Sequence, residues 1–547
     1  MNAILSPLGK FTPLAWQRLH WSSHKLVVVL AAFFTVLCNQ RFWAAALSGP
    51  QADLRQALAL GLVLLAANTL VLALLVWRWN ARVMVPVLLV ASALAVHWMN
   101  TYNVYLDADM LRNVLHTDRK EAGELLGWSL LPAVFGLALL PGLAVGTIQL
   151  TRQSWQAALG QRLLLIALAL LTALAGALLD FQNLASLMRN QREIRYLATP
   201  VNYLVALPRS LQASNPLVQR ALLPVGADAH ALSSPATRKP RLLVLVIGET
   251  VRAQNWGLNG YHRQTTPELS RAGVINFPDM RSCGSSTEVS LPCMFSPWGR
   301  ADYDEKAIKG HQSLLHVLDH AGITPLWRDN QSGCKGVCAG LAIDHLDDAS
   351  DPALCRDGRC MDEILLQQLE QRVRATPGDR VVVLHQLGNH GPAYFQRYPA
   401  SYNHYQPGCQ STDLGSCSRE QITNSYDNAV RYTDHFLATT IARLKALDEY
   451  DSAMIYVSDH GESLGEKGLY LHGLPWAIAP DEQTRVPMVM WFSDSFARTR
   501  QLDLACLRQR SARPASHDNL FASVLGLMQV ATTAYRADQD LFAGCQA

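Results

Sequence analysis

The sequence predicts a membrane protein in two parts. A five-helix transmembrane domain occupies residues 1–180, and an α/β domain occupies 241–547, joined by a bridging helix and linker over 181–240. Three observations lead there. Only 19 of the first 180 residues are Asp, Glu, Lys or Arg, against 72 of the remaining 367, and ordinary soluble chains carry roughly 25% charged residues. Five apolar stretches in the first part approach or exceed the roughly 20 residues that cross about 30 Å of hydrocarbon as a helix. Beyond residue 240, short apolar runs alternate with helical patterns, which is how an α/β sheet reads in sequence.

The apolar stretches run over 26–47, 57–77, 83–99, 125–147 and 163–179. Buried core helices are the alternative, but five in succession with so few charges suit lipid better than water. Lys10, Arg18 and Lys25 precede the first stretch, Arg78 and Arg82 separate the second from the third, and Arg152 and Arg162 lie near the junction of the fourth and fifth; none of these connections holds an acid. The segment after the third stretch is mixed, with Asp107, Asp109, Asp118, Glu121 and Glu124 offsetting Arg112, Arg119 and Lys120. Positive charge marks the cytoplasmic side, so the chain starts in the cytoplasm and five crossings place everything after Asp180 outside. The first stretch lacks a clear small-residue cleavage site and reads as an uncleaved anchor.

Cysteine usage agrees. Ten of the eleven cysteines lie beyond residue 280, and disulfides persist in oxidising compartments. They pair closely in sequence as Cys283/Cys293, Cys334/Cys338, Cys355/Cys360 and Cys409/Cys417, with Cys506 and Cys545 left over. No second Cys or His pair at zinc-ribbon spacing accompanies Cys334 and Cys338, so structural disulfides are expected, with their connectivity open. The outer part carries 35 basic and 37 acidic residues. That near-neutral balance argues against nucleic-acid binding.

Leu184, Leu187 and Met188, interleaved with Arg189, Arg192 and Arg195, predict a helix lying on the membrane surface. The stretch 215–240, rich in Pro, Ala, Gly and Ser, reads as a linker. Three apolar runs then predict buried parallel strands. Run 241–248 leads into Glu249, run 380–385 into Gly388-Asn389-His390, and run 453–458 into Asp459-His460-Gly461-Glu462. A helix over 418–447, with Ile422, Ala429, Tyr432, Phe436 and Leu444 on one face, separates the last two. Ligands bind at the carboxyl ends of strands in open α/β sheets. One polar residue at a strand end is usually a turn cap; Glu, His and Asp-His at three equivalent ends suggest a metal site for Zn²⁺ or Mn²⁺. The hydroxyls of Ser285, Ser286 and Thr287 follow a Gly where a helix would start. They suit an N-cap, and equally a nucleophile activated beside a metal.

In combination these segments resemble the membrane-bound phosphoethanolamine transferases that modify lipid A, the family that includes the mobile colistin-resistance enzymes. The resemblance is carried by Gly248-Glu249-Thr250-Val251-Arg252, Trp256 through Tyr261, Cys283 through Phe295, Trp327-Arg328-Asp329-Asn330, Gly388 through Tyr394, and Ser458 through Ser463. It implies a periplasmic domain of the alkaline phosphatase/sulfatase-like fold in the inner membrane of a Gram-negative bacterium. It implies zinc held by Glu249, Thr287, Asp459 and His460, with Thr287 as the nucleophile that becomes phosphoethanolamine-modified. His390 and His472 resemble a pair that binds substrate phosphate or a second zinc, and either could protonate the leaving diacylglycerol alkoxide. Asn330, Lys335 and Ser285 match positions of the phosphoethanolamine pocket, and Thr117 and Glu121 match residues reaching the site from the membrane half. Ser285 stands where the family often has Thr. The implied partners are phosphatidylethanolamine as donor and lipid A as acceptor, among membrane lipids and without nucleic acid, and the implied outcome is polymyxin resistance.

Other readings share parts of this layout. Phosphoethanolamine transfer to core heptose uses the same chemistry on another acceptor. Glycerol-phosphate transferases also couple spans to this fold, but the pattern around Cys283 and Asn389-His390 weighs against them. Sulfatase activity lacks its Cys/Ser-x-Pro-x-Arg segment. A lipid-binding anchor or sensor would not require the full set of ligands and nucleophile.

Overall fold

The computed structural model describes residues 19–48, 53–117, 119–213, 222–232, 238–347, 349–356 and 358–546, with the side chains of Arg119, Glu121 and Asn190 outside the description. Lys10, Arg18 and much of the expected linker therefore lie outside the described residues. The chain divides into two compact units, residues 1–97 with 129–204, and residues 98–128 with 205–547.

The first unit is helical. Among the described residues, four helices are long and apolar enough to cross a membrane: Leu54–Leu75, Ala81–Tyr102, Trp128–Gly146 and Trp155–Leu179. The first expected span is not one helix but two, Ser23–Leu37 and Gln40–Ala46, bent by 57°. At the break the Asn39 side chain donates to the carbonyls of Phe34, just before it, and of the distant Thr199, at 2.8 and 2.7 Å. The count is four, or five if the bent pair is one crossing. A helix covers Phe181–Asn190, and Arg192 and Arg195 of the expected pattern fall in the following 3-10 turn, Arg192–Leu197.

The second unit is built on one eight-stranded sheet. Its strands are β1 (Arg241–Gly248), β2 (Ile275–Arg281), β3 (Thr324–Asp329), β4 (Ile343–His345), β5 (Arg380–His385), β6 (Asp451–Ser458), β7 (Arg485–Phe492) and β8 (Ala515–Ser516), in the spatial order β8-β2-β7-β6-β1-β5-β3-β4. The three predicted strands are its centre. β1 pairs in parallel with both β5 and β6, and every residue of the three is buried, as unbroken apolar runs require. β7 runs antiparallel to β6. The predicted long helix is Arg419–Ala446, started by a capping box in which Ser418 and Gln421 bond reciprocally; Ile422, Ala429, Tyr432, Phe436 and Leu444 are all buried on it.

Register positions the chemistry. Ser458 pairs with Gly248, His385 with Ile247, and Asp329 with His385, so four adjacent strands end at one level. Five disulfides stitch the loops around this unit: the four sequence-local pairs and Cys506–Cys545. Cys38 is the one free cysteine. Thiol labelling of the denatured, unreduced protein should accordingly modify one cysteine, and peptide mapping should place it at Cys38; labelling at several positions beyond residue 280 would contradict the pairing.

Candidate active site

At the end of β1 the chain turns sharply. Thr250 adopts a left-handed conformation at φ 56°, which costs of order 1–3 kcal/mol for a β-branched residue. The turn is held by Tyr426, whose hydroxyl donates to the Thr250 carbonyl at 2.6 Å. Gly388 packs against the same turn, and a Cβ there would sit 2.7 Å from the Glu249 carbonyl oxygen at a φ of +54°, so only glycine fits. Glu249 is thereby aimed across the strand ends. Asp459 and His460 follow β6, and the Asp459 amide donates to the Gly248 carbonyl at 2.9 Å.

Thr287 opens the helix α1 (Thr287–Met294), with Ser286 as an N-cap whose side chain makes no capping bond. The Thr287 hydroxyl donates to Glu249 Oε2 at 2.9 Å and lies 3.2 Å from His460 Nε2. His460 Nε2 lies 3.2 Å from Glu249 Oε1 and 3.5 Å from Asp459 Oδ2. Four of the predicted site residues are therefore brought together around one point. Ligand-competent atoms of His472 fall within 4.8 Å of those of Glu249 and His460.

Electrostatics define what this cluster needs. Glu249, Asp459 and His460 are fully buried, and Glu249 Oε1 and Asp459 Oδ2 have no hydrogen-bond partner among the described residues. Burial and the neighbouring Glu249 carboxylate push Asp459 up to about 6. Burial opposes a charged His460, but Asp459 and Glu249 together raise it to about 10. Two buried carboxylates require compensating positive charge. Within this cluster Glu249, His460 and His472 are the three that offer mutually close ligand atoms, and carboxylate oxygen with imidazole nitrogen is a donor chemistry that zinc accepts.

The remaining predicted residues divide. A cavity of about 240 Å³ opens onto Thr287, and Thr117, Lys335, His390 and His472 line it. His472 Nδ1 is bound to Glu462 Oε2 at 2.8 Å, and Tyr394 donates to the other Glu462 oxygen at 2.5 Å. Two expected pocket residues stand elsewhere. Asn330 turns its amide to Asp362 and the Cys360 carbonyl, at 2.9 and 3.0 Å, and it does not line the cavity; Gln331, the next residue, does. The Ser285 hydroxyl donates to the Leu474 carbonyl at 2.5 Å and its backbone carbonyl accepts from the Gly473 amide at 2.7 Å, so it fastens the His472 loop rather than facing the cavity. The side chain of Glu121 lies outside the described residues.

Several site residues escaped the sequence reading. Gln331 donates to Glu249 Oε2 at 3.1 Å. Glu462 was visible in its motif without a role. His517, 59 residues beyond the end of β6, accepts from the Cys283 amide and bonds the Ser458 carbonyl, both at 3.0 Å. Burial lowers His517 to about 3, so it is a neutral brace between the turn at Cys283 and β6. No local pattern marks it.

An α/β domain with a buried hydroxyl beside an acidic metal-competent cluster at its strand ends is a layout suited to phosphoryl or sulfuryl transfer. The sulfatase family model matches residues 241–530, and the phosphoethanolamine transferase EptA/EptB model matches residues 64–214. Phosphoethanolamine transferase EptA of Escherichia coli strain K12 is 35% identical over 529 residues, covering 95% of this chain and 96% of its own. Phosphatidylethanolamine transferase Mcr-1 of Escherichia coli is 37% identical over 490 residues, covering 87% and 91%. The solved integral membrane lipooligosaccharide phosphoethanolamine transferase A of Neisseria meningitidis superposes with a TM-score of 0.92 at 36% identity, over 96% of this chain and 99% of that one. The chain belongs to the membrane-bound lipid A phosphoethanolamine transferase family and is an enzyme of that kind.

Replacing Glu249 or Asp459 by Ala should remove bound metal and lower transfer by more than the roughly 10–100-fold typical of outer-shell changes, with the fold intact. Gln331→Ala should fall inside that range. Elemental analysis beside turnover checks both; an Asp459→Ala protein with unchanged metal content and rate would contradict a metal-binding role for Asp459.

Proposed function

We propose that the protein moves phosphoethanolamine from phosphatidylethanolamine to a phosphate of lipid A through a phosphoryl-Thr287 intermediate, with zinc as cofactor. The single observation that carries this reading is the convergence of Thr287 Oγ1, Glu249, Asp459 and His460 around two unpartnered carboxylate oxygens. Glu249, Thr287, Asp459 and His460 would hold the zinc, whose chemistry is to polarise a phosphoryl oxygen and ease loss of the Thr287 proton.

The chain's own groups supply the rest. Thr287 Oγ1 attacks phosphorus, the bond to the diacylglycerol oxygen breaks, and the threonine proton lies toward Glu249 Oε2. His390 or His472 returns a proton to the departing alkoxide. With Glu462 accepting from Nδ1–H of His472, the proton that this ring gives up is the one carried on Nε2. In the second half-reaction an acceptor phosphate oxygen attacks the same phosphorus and Thr287 is regenerated. Splitting the transfer lets two bulky lipids use one site in turn.

The cavity suits a lipid. Trp98, Val104, Leu106, Val114, Leu125 and Leu126 form an apolar wall, and Lys335, His390 and His472 stand with Thr287 at the polar end. Lys335 Nζ is held by Ser332 Oγ at 2.7 Å. The catalytic domain would lie in the periplasm, anchored in the inner membrane of a Gram-negative cell, and lipid A so modified would resist polymyxins through its lowered negative charge.

Mass spectrometry of lipid A from cells with and without the protein tests donor group and acceptor together. The expected result is a gain of one phosphoethanolamine unit on lipid A, lost in Thr287→Ala. An unmodified lipid A with the added unit on core heptose would move the acceptor; no added unit would contradict the reading.

A further inference from the structure

We propose that His116 contacts the phosphate group of the bound lipid, and that Glu288 is the positioning residue that presents it. The inference rests on the transfer reading above for the chemistry of the ligand, and on geometry for the residues.

His116 ends the helix Ala108–His116, which lies between two of the membrane-spanning helices in sequence and within the second unit in space. Its Nδ1 lies 3.2 Å from Glu288 Oε2. Glu288 directly follows the nucleophile Thr287, and its side chain is only 6% exposed. Both residues line the cavity onto which Thr287 and Lys335 open.

The surrounding charges fix this pair in place. Lys309 Nζ occupies the other Glu288 oxygen, Oε1, at 2.7 Å. Lys309 also lies 3.4 Å from Glu305, and Glu305 is 2.7 Å from Arg112. Arg112 sits one turn before His116 on the same helix and is buried. The helix is therefore tied to the catalytic domain at two successive turns, once through Arg112 and once through His116. An ionised carboxylate only accepts, so the hydrogen between the pair belongs to His116 Nδ1. That leaves Nε2 as the free end of a 38% exposed ring, without a hydrogen-bond partner among the described residues. A phosphate oxygen in the cavity is the partner that this nitrogen can reach, in a charge-assisted bond when both ring nitrogens carry hydrogen. The competing account is a tether alone, in which the pair holds the helix and touches no ligand.

The two accounts separate by which nitrogen matters. Asn reproduces the reach of Nδ1 and Gln the reach of Nε2. Full-length protein in detergent is titrated separately with acyl-labelled phosphatidylethanolamine and with lipid A, and Kd and Tm are measured for each variant. His116→Ala and His116→Asn should weaken binding about tenfold, the loss of a hydrogen bond to a charged group, while His116→Gln recovers most of it. Glu288→Gln should weaken binding less, and adding it to His116→Ala should cost nothing further, because one residue acts through the other. Loss in the phosphatidylethanolamine arm assigns the contact to the donor phosphate, and loss in the lipid A arm to the acceptor phosphate. Unchanged Kd in both arms with lowered Tm, rescue by Asn but not Gln, or additive effects of the two changes would overturn the proposal. A parent protein that binds the lipid yet releases no diacylglycerol would contradict the transfer reading alone, and the binding comparison would still decide the role of His116.

Discussion

Two carboxylates, Glu249 and Asp459, are buried side by side at the ends of neighbouring parallel strands, and much of the second unit serves to keep them there. Neither could remain ionised in such a place without positive charge close by. His460 supplies one source from within the chain, and Glu249, His460 and His472 offer ligand atoms close enough to share a cation. The strained Thr250 turn, the close approach of Gly388 and the Tyr426 hydroxyl all hold Glu249 in position. His517 and Ser290 do the same for the opposite side, joining the helix that carries Thr287 to the end of β6. Strain and buried charge of this kind persist where surrounding contacts over-determine them, as functional sites do.

The cavity extends this arrangement toward an apolar wall. Its polar end shares Thr287 with the acidic cluster, and its apolar wall comes largely from residues 98–126. That segment is bound to the catalytic domain by ion pairs rather than by apolar packing alone: Arg359 and Arg397 both meet Glu124, at 3.1 and 2.5 Å, and Arg112 meets Glu305. A connection between two apolar helices thus becomes a wall of the active-site cavity. Mixed charge in this segment, which offered only a contrast with the basic connections when read as sequence, has a specific partner for several of its members.

How much of this was legible in the sequence follows from the range of the interactions involved. The strands at 241–248 and 380–385 and the long helix after Ser418 are written in local periodicity and capping, and they appear within a residue or two of their expected limits. Glu249, Asp459 and His460 were visible because each directly follows such a strand. Cys506 and Cys545 could not be matched from spacing, since 39 residues separate them. The first apolar stretch is continuous in composition, and at its bend Asn39 bonds a carbonyl 160 residues away. Asn330 and Gln331 differ by a single step along a chain leaving β3, and only the turn decides which one faces the cavity. His517 and the pairing of His116 with Glu288 are contacts between distant segments that no local pattern records.

The central claim is that Thr287 carries the transferred group. Peptide mass spectrometry of the purified protein after exposure to phosphatidylethanolamine, with no acceptor present, tests it most directly. The account predicts a phosphoethanolamine adduct on Thr287 that disappears when lipid A is added. An adduct on Ser285 or Ser286, or one that forms equally in Thr287→Ala, would contradict it.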